Sequence, residues 1–130
     1  MNAVSAIKQY QQVSVSSSAM GASPHHLVQM LMEGALERIA LAKASMARAE
    51  IAMKGQNISR AIDIVGGLQG SLNREAGGEI ADNLSNLYDY MAGRLLAANI
   101  QNDESILDEV SGLMIELKMG WDAMPDAYKH

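Results

Sequence analysis

Cysteine and phenylalanine are both absent from this 130-residue chain. Without cysteine there is no disulfide framework and no thiolate nucleophile, and a reducing compartment such as the cytosol is accommodated. Without phenylalanine, the core has to be built mainly from Leu, Ile, Met and Ala. Proline is reduced to two residues while methionine reaches ten, a balance that favours helix over sheet. No apolar run approaches the ~20 residues of a membrane span. The N-terminal stretch carries Lys8 but no solid apolar segment, so no signal peptide is expected. Positive charge is in deficit as well. A net charge of −5 argues against nucleic acid as the main partner.

What is present is helical periodicity. The stretch Gly77 to Asn99, GGEIADNLSNLYDYMAGRLLAAN, opens on a glycine pair that breaks the preceding helix. Ile80, Leu84, Leu87, Tyr88, Met91 and Leu95 then recur at steps of three and four, one face of a helix. Asp82, Asn83, Asn86 and Asp89 lie mostly off that face. Glu79 falls in the first turn, where a carboxylate suits the helix dipole. Asn99 tolerates a left-handed cap and closes the run.

Upstream, Val4, Ile7 and Tyr10 mark a short helical face, too short to be stable alone in water. The Ser-rich linker SVSSSAMGAS follows. Ser23-Pro24 then starts a long helix, with Ser as N-cap and Pro at the first helical position. Leu27, Leu31, Ala35, Ala42, Met46, Ala49 and Met53 form its core stripe. Gly55 is expected to end it, with Lys54 in the last turn. Val28, Met32, Leu36 and Ile39 widen the apolar face past the roughly 100° arc that a core-facing stripe needs. Either this extra edge packs on a neighbouring helix, or it is an exposed apolar strip for a partner. Met32 suits the second use, because methionine adapts to varied surfaces.

The next helix is expected over Gln56 to Glu75, with Ile58, Ile62, Val65, Leu68 and Leu72 as its stripe. Gly66, Gly67 and Gly70 interrupt it, for close helix approach or for a shallow trough. After the Gly77–Asn99 helix, Asn102 or Asp103 can cap a last helix. Asp103, Glu104, Asp108 and Glu109 load its start and Lys118 its end, as the dipole prefers. Ile106, Val110, Leu113, Leu117 and Trp121 form its stripe, with Trp121 plugging one end of the bundle, and Pro125 ends the pattern. The sum is an all-α chain: an antiparallel four-helix bundle with a short N-terminal helical arm. Residues 1–23 are the arm and linker, 24–122 the bundle and 123–130 a tail.

Catalytic chemistry is hard to place. His25 and His26 are adjacent on a helix start and diverge by about 100°, which is unsuited to chelating one metal, and both read as exposed first-turn residues. There is no Glu-x-x-His pair of the di-iron bundles, no Gly-x-Ser-x-Gly elbow and no phosphate loop between strand and helix. No catalytic, cofactor-binding or metal-binding residue is assigned, and a metal or cofactor enzyme stands behind a binding protein.

The Gly77–Asn99 segment resembles the signature helix of the FliS family, the flagellar secretion chaperones that hold flagellin. ASPHHLVQMLMEGAL at Ala22 to Leu36 resembles the opening of that family's first long helix. The Gly-rich third segment, the acidic start of the last helix, Trp121, and the arm with Ile7 and Tyr10 fit in order. Met32 departs from the family, which often has Tyr there. The resemblance implies a cytoplasmic chaperone that binds the C-terminal segment of flagellin. It also implies prevention of premature polymerisation and delivery to the flagellar type III export apparatus, without nucleic acid, membrane insertion or cofactor. On this reading Val28, Met32, Leu36 and Ile39 contribute to flagellin binding. Ile7 and Tyr10 act as a displaceable lid that, once freed, can dock on the export apparatus, or else the arm packs permanently as a cap on the core. The alternative is a structural helical-bundle subunit that self-associates through the wide face of Pro24 to Met53.

Overall fold

The computed structural model describes residues 23–124, which form four helices and no strand. They are α1 (Pro24–Ala47), α2 (Ile51–Gly70), α3 (Arg74–Gln101) and α4 (Glu104–Asp122). Each helix packs on its neighbours in sequence, and α4 closes the ring back onto α1. The polar pairs across the seams show that neighbours run antiparallel. On α2 and α3, Lys54 reaches Asn99 and Asn102 while Gln69 reaches Ser85 and Asp89. On α1 and α4, Gln29 meets Asp122 while Lys43 meets Asp108. The architecture is the expected antiparallel four-helix bundle.

Ser23 caps α1, its side chain accepting from His26 N–H at 3.2 Å, with Pro24 in the first turn. Asn73 caps α3 through Ala76 N–H, and Asp103 caps α4 through Ser105 N–H. The core is a single cluster in which Met32, Ile39, Ile58, Leu68, Met91, Leu95, Leu107 and Met114 are the largest fully buried side chains. The short connections between helices leave the ends of the bundle to be closed by side chains. At one end Trp121 donates its indole N–H to the His25 carbonyl at 3.0 Å, and its ring stacks on the His25 ring at 4.7 Å. His25 is therefore buried, against the expectation of an exposed first-turn residue; His26 is exposed.

The first turn differs from the sequence expectation. α1 stops at Ala47 rather than running to Gly55, and Gly55 lies inside α2. Glu50 N–H bonds to Ser45 C=O at 2.9 Å and Ala49 takes φ +57°, the six-to-one bond and left-handed residue of a Schellman stop. Glycine is usual at that position; here it is alanine. The α3–α4 turn repeats the motif, with Asp103 N–H on Ala98 C=O and Asn102 at φ +51°. Asn99 is thus internal to α3, and Asn102 is its cap.

The Gly77-Gly78 break is a kink within α3, after a first turn that begins at Arg74. Beyond it Ile80 is 72% exposed. Its expected place on the core stripe is not observed, because the buried face of α3 there runs through Ala81, Ser85 and Tyr88, one residue round from Ile80. Leu84 and Leu87 are half-buried against the core, whose deepest α3 members are Met91, Leu95 and Ala98.

Candidate binding surface

Among the described residues no group of three or more His, Cys, Asp or Glu side chains is placed to hold a metal ion. The features left to read are the seams between helices. Two of them are charged. Along α1–α4, Lys43 pairs with Asp108 at 2.5 Å and with Glu104 at 3.8 Å, and Lys118 pairs with Asp122 and Glu33. Hydrogen bonding to Asp108 raises the Lys43 pKa, and bonding to Asp122 raises that of Lys118 while lowering that of Asp122. Along α3–α4, Glu109 accepts from the Tyr90 hydroxyl at 2.6 Å and from Arg94 Nε at 2.7 Å. Both bonds hold the Glu109 carboxyl below its usual range, that from Tyr90 more strongly.

The α2–α3 seam is different. Its polar end, where Gln69 donates to Ser85 and Asp89, lies toward the C-terminus of α2. Toward the other end it is apolar at the surface. Leu96 and Ile100, one turn apart on α3, are 52% and 75% exposed, and Ile51 on the first turn of α2 is 75% exposed. Their proximity follows from the backbone register. Lys54 bonds to the Asn99 carbonyl, and a Cβ at Gly55 would lie 3.9 Å from Asn99 Oδ1. Ile51 is one turn before Gly55 and Ile100 one residue after Asn99. Farther along α2, Ile62 is half-buried against the core. The sequence did signal Leu96 and Ile100, since both are apolar residues off the core stripe of α3. Ile51 was hidden by its placement inside an overlong first helix.

The residues assigned from sequence to partner binding lie elsewhere. Met32 and Ile39 are fully buried core members, and Val28 and Leu36 are half-buried against the same core. The wide apolar face of α1 is thus spent on packing, because α1 has neighbours on two sides, α2 and α4. It forms no open strip in this structure. Ile7 and Tyr10 lie outside the described residues, as do the rest of the arm and the end of the tail.

The family profile described as flagellar protein FliS matches residues 6–128. The chain belongs to the FliS family. Relatives named flagellar secretion chaperone are found in several bacteria. The chain is 52% identical to FliSB of Pseudomonas aeruginosa over 124 residues, 95% of this chain and 98% of that one. It is 46% identical to FliS of Salmonella typhimurium over 122 residues, 93% and 90% of the two chains. With FliS of Bacillus subtilis the identity is 36% over 86% of this chain and 80% of that one. No helix among the described residues of this FliS-family chain is long and apolar enough to cross a membrane.

Proposed function

We propose that this chain is a cytoplasmic flagellar export chaperone that holds newly made flagellin by its C-terminal segment. In this role it prevents premature polymerisation and helps deliver the client to the flagellar export apparatus. Family membership supports the chaperone role, and the role is one of binding rather than catalysis. The structural observation that carries the reading is the exposed aliphatic trio Ile51, Leu96 and Ile100 along the α2–α3 seam. An amphipathic segment laid into a helical groove anchors through residues one turn apart, and Leu96 and Ile100 present that spacing. Covering each aliphatic side chain contributes up to about 1.5–3 kcal/mol. A disordered client loses about 2–5 kcal/mol or more on ordering, so three anchors leave binding net favourable and still reversible. Engagement of Val28, Met32, Leu36 and Ile39 requires α1 to part from its neighbours.

The test is co-purification with full-length flagellin and with flagellin truncated at its C-terminus. Full-length flagellin is expected to be retained and the truncated form lost. Leu96→Glu with Ile100→Glu is expected to abolish retention while leaving the helical content intact. Retention of the truncated client, or of the full client by the double variant, would place the interaction elsewhere. Sedimentation of the chaperone alone separates this from self-association: a monomer that becomes a one-to-one complex fits the client reading.

A further inference from the structure

The up-down topology brings the α1–α2 and α3–α4 turns to one end of the bundle, and a cleft of about 340 Å³ opens there. It is lined by Ser45, Met46, Ala49, Glu50, Ile51, Lys54 and Asn102. This size lies at the lower end of the roughly 300–1,000 Å³ of small-molecule sites. Lys54 is its distinctive member, an ammonium side chain only 6% exposed. Its Nζ donates to the Asn99 carbonyl at 3.2 Å and to Asn102 Oδ1 at 3.0 Å. Both acceptors are neutral, and Lys54 makes no ion pair with any carboxylate among the described residues. An ammonium has three N–H donors, so one remains for the cleft. Asn99 lies in the last turn of α3, so two of these donors serve the negative end of that helix.

A second, independent feature faces the same space. Glu50 is the N-cap of α2, and its side chain makes no capping hydrogen bond to the first turn. The first N–H groups of α2 therefore lack the side-chain acceptor that Ser23, Asn73 and Asp103 supply to the other helices. Such an end favours an anion. Two helix C-termini lie at this end too; the Ser45 and Ala98 carbonyls accept from Glu50 and Asp103 N–H in the Schellman stops, and the Asn99 carbonyl accepts from Lys54. Glu50 is the one acidic residue lining the cleft, and its carboxylate sits 3.9 Å from Arg48. Apart from Ser45, the remaining walls, Met46, Ala49 and Ile51, are apolar and favour a ligand with an aliphatic part.

From this we infer that the cleft at the α1–α2 turn binds a carboxylate carried on an aliphatic peptide segment. The carboxylate would pair with Lys54 and the first-turn N–H groups of α2, with the aliphatic part against Met46 and Ile51. Its source is a chain end or an acidic side chain. The site shares Ile51 with the α2–α3 seam, but small carboxylate probes test it without any client protein.

The experiment is a titration of the intact, ¹⁵N-labelled chain followed by amide shifts of residues 45–54. The probes are acetyl-Ile-Leu as free acid, its C-terminal amide, acetyl-Glu-Leu-amide and inorganic phosphate. Saturable shifts are expected with at least one carboxylate probe. The free acid marks a chain-end site and the glutamyl amide a side-chain site. The uncharged amide is expected to bind at least tenfold more weakly. Lys54→Met keeps the aliphatic stem and should lose at least tenfold in affinity. Ile51→Asp places a competing carboxylate at the cleft mouth. It should also abolish binding, and it leaves the fold intact because Ile51 is exposed and an acid suits a first turn. If Lys54→Met does not fold, Ile51→Asp decides. Equal binding of acid and amide, phosphate matching the acid, or unchanged affinity in either folded variant would overturn the assignment.

Discussion

Replacing Met32 separates two uses of the same helix face. Met32 is 1% exposed and belongs to the central cluster. Truncation to alanine removes a fully buried thioether chain and leaves a void, which costs about 2–5 kcal/mol in a packed core. Glutamate at that site is worse. A carboxyl group in an apolar interior has its pKa raised by up to about 3–5 units, so it is buried protonated; taking up that proton at pH 7, from an unfolded pKa of about 4.3, costs about 4 kcal/mol at 1.36 kcal/mol per unit. Added to the lost packing, this rivals the whole of a domain's usual stability of about 5–15 kcal/mol. Urea unfolding followed by helical dichroism and by Trp121 fluorescence reads both variants. Coincident transitions are the condition for treating the midpoint as a two-state quantity. We expect Met32→Ala to unfold at clearly lower urea and Met32→Glu to be largely unfolded without denaturant. A Met32→Glu protein with a wild-type midpoint but lost flagellin binding would refute the packing argument and restore an open α1 strip as the docking site.

Three further outcomes follow from local geometry. Burial pushes the Tyr88 phenol up to about 12, so the folded state holds its proton longer than the unfolded chain does. Its contribution is full below pH ~10 and is lost as pH rises toward 12, by about 2–3 kcal/mol; alkaline melts of Tyr88→Phe should lack most of this loss. Glu109, Asp122 and Asp103 are held below their usual pKa, first by Tyr90, Lys118 and Ser105 respectively. Their stabilisation is present above pH ~4 and lost as pH falls further, and Tyr90→Phe should shift acid unfolding to higher pH. Ala49→Gly relieves a left-handed alanine and should raise stability by up to about 1 kcal/mol, read as a higher urea midpoint with unchanged slope.

The fold was legible where periodicity and capping chemistry agree. Ser23-Pro24 marked the true start of α1 and Asp103 the start of α4, and the α2 and α4 stripes pack on the core, though the stripe for α4 omitted Leu107 and Met114, which are fully buried. The first turn was not legible, because no glycine or proline marks it. Ala49 is held left-handed by the Schellman bonds around it, a tertiary choice that local propensity does not announce, while Gly55 looks like a stop and is helix interior. That misplacement lengthened α1 and concealed Ile51. Excess apolar width on α1 was correctly seen and has a plain cause: a helix with two packed neighbours needs more than one stripe. Lys54 could not be recognised, since its partners Asn99 and Asn102 are distant in sequence and meet it only through the bundle register.

Gly77 and Gly78 are neighbours with opposite requirements. A Cβ on Gly77 would sit 2.8 Å from the Cβ of Ala81, so that position demands smallness. A Cβ on Gly78 would meet nothing within 4 Å, yet its backbone stands at φ +52° and ψ −125°. That pair of angles is the first central position of a type II′ turn, and its mirror image falls in the region every L-residue occupies with ease. What Gly78 supplies is therefore handedness, not room. A D-alanine placed there by chemical ligation should be accepted and should stiffen the kink, whereas the L-enantiomer, identical in volume, should straighten or destabilise it. The entry into α3 is in this sense a chiral hinge, and achiral glycine is the one genetically encoded residue that fits it without strain.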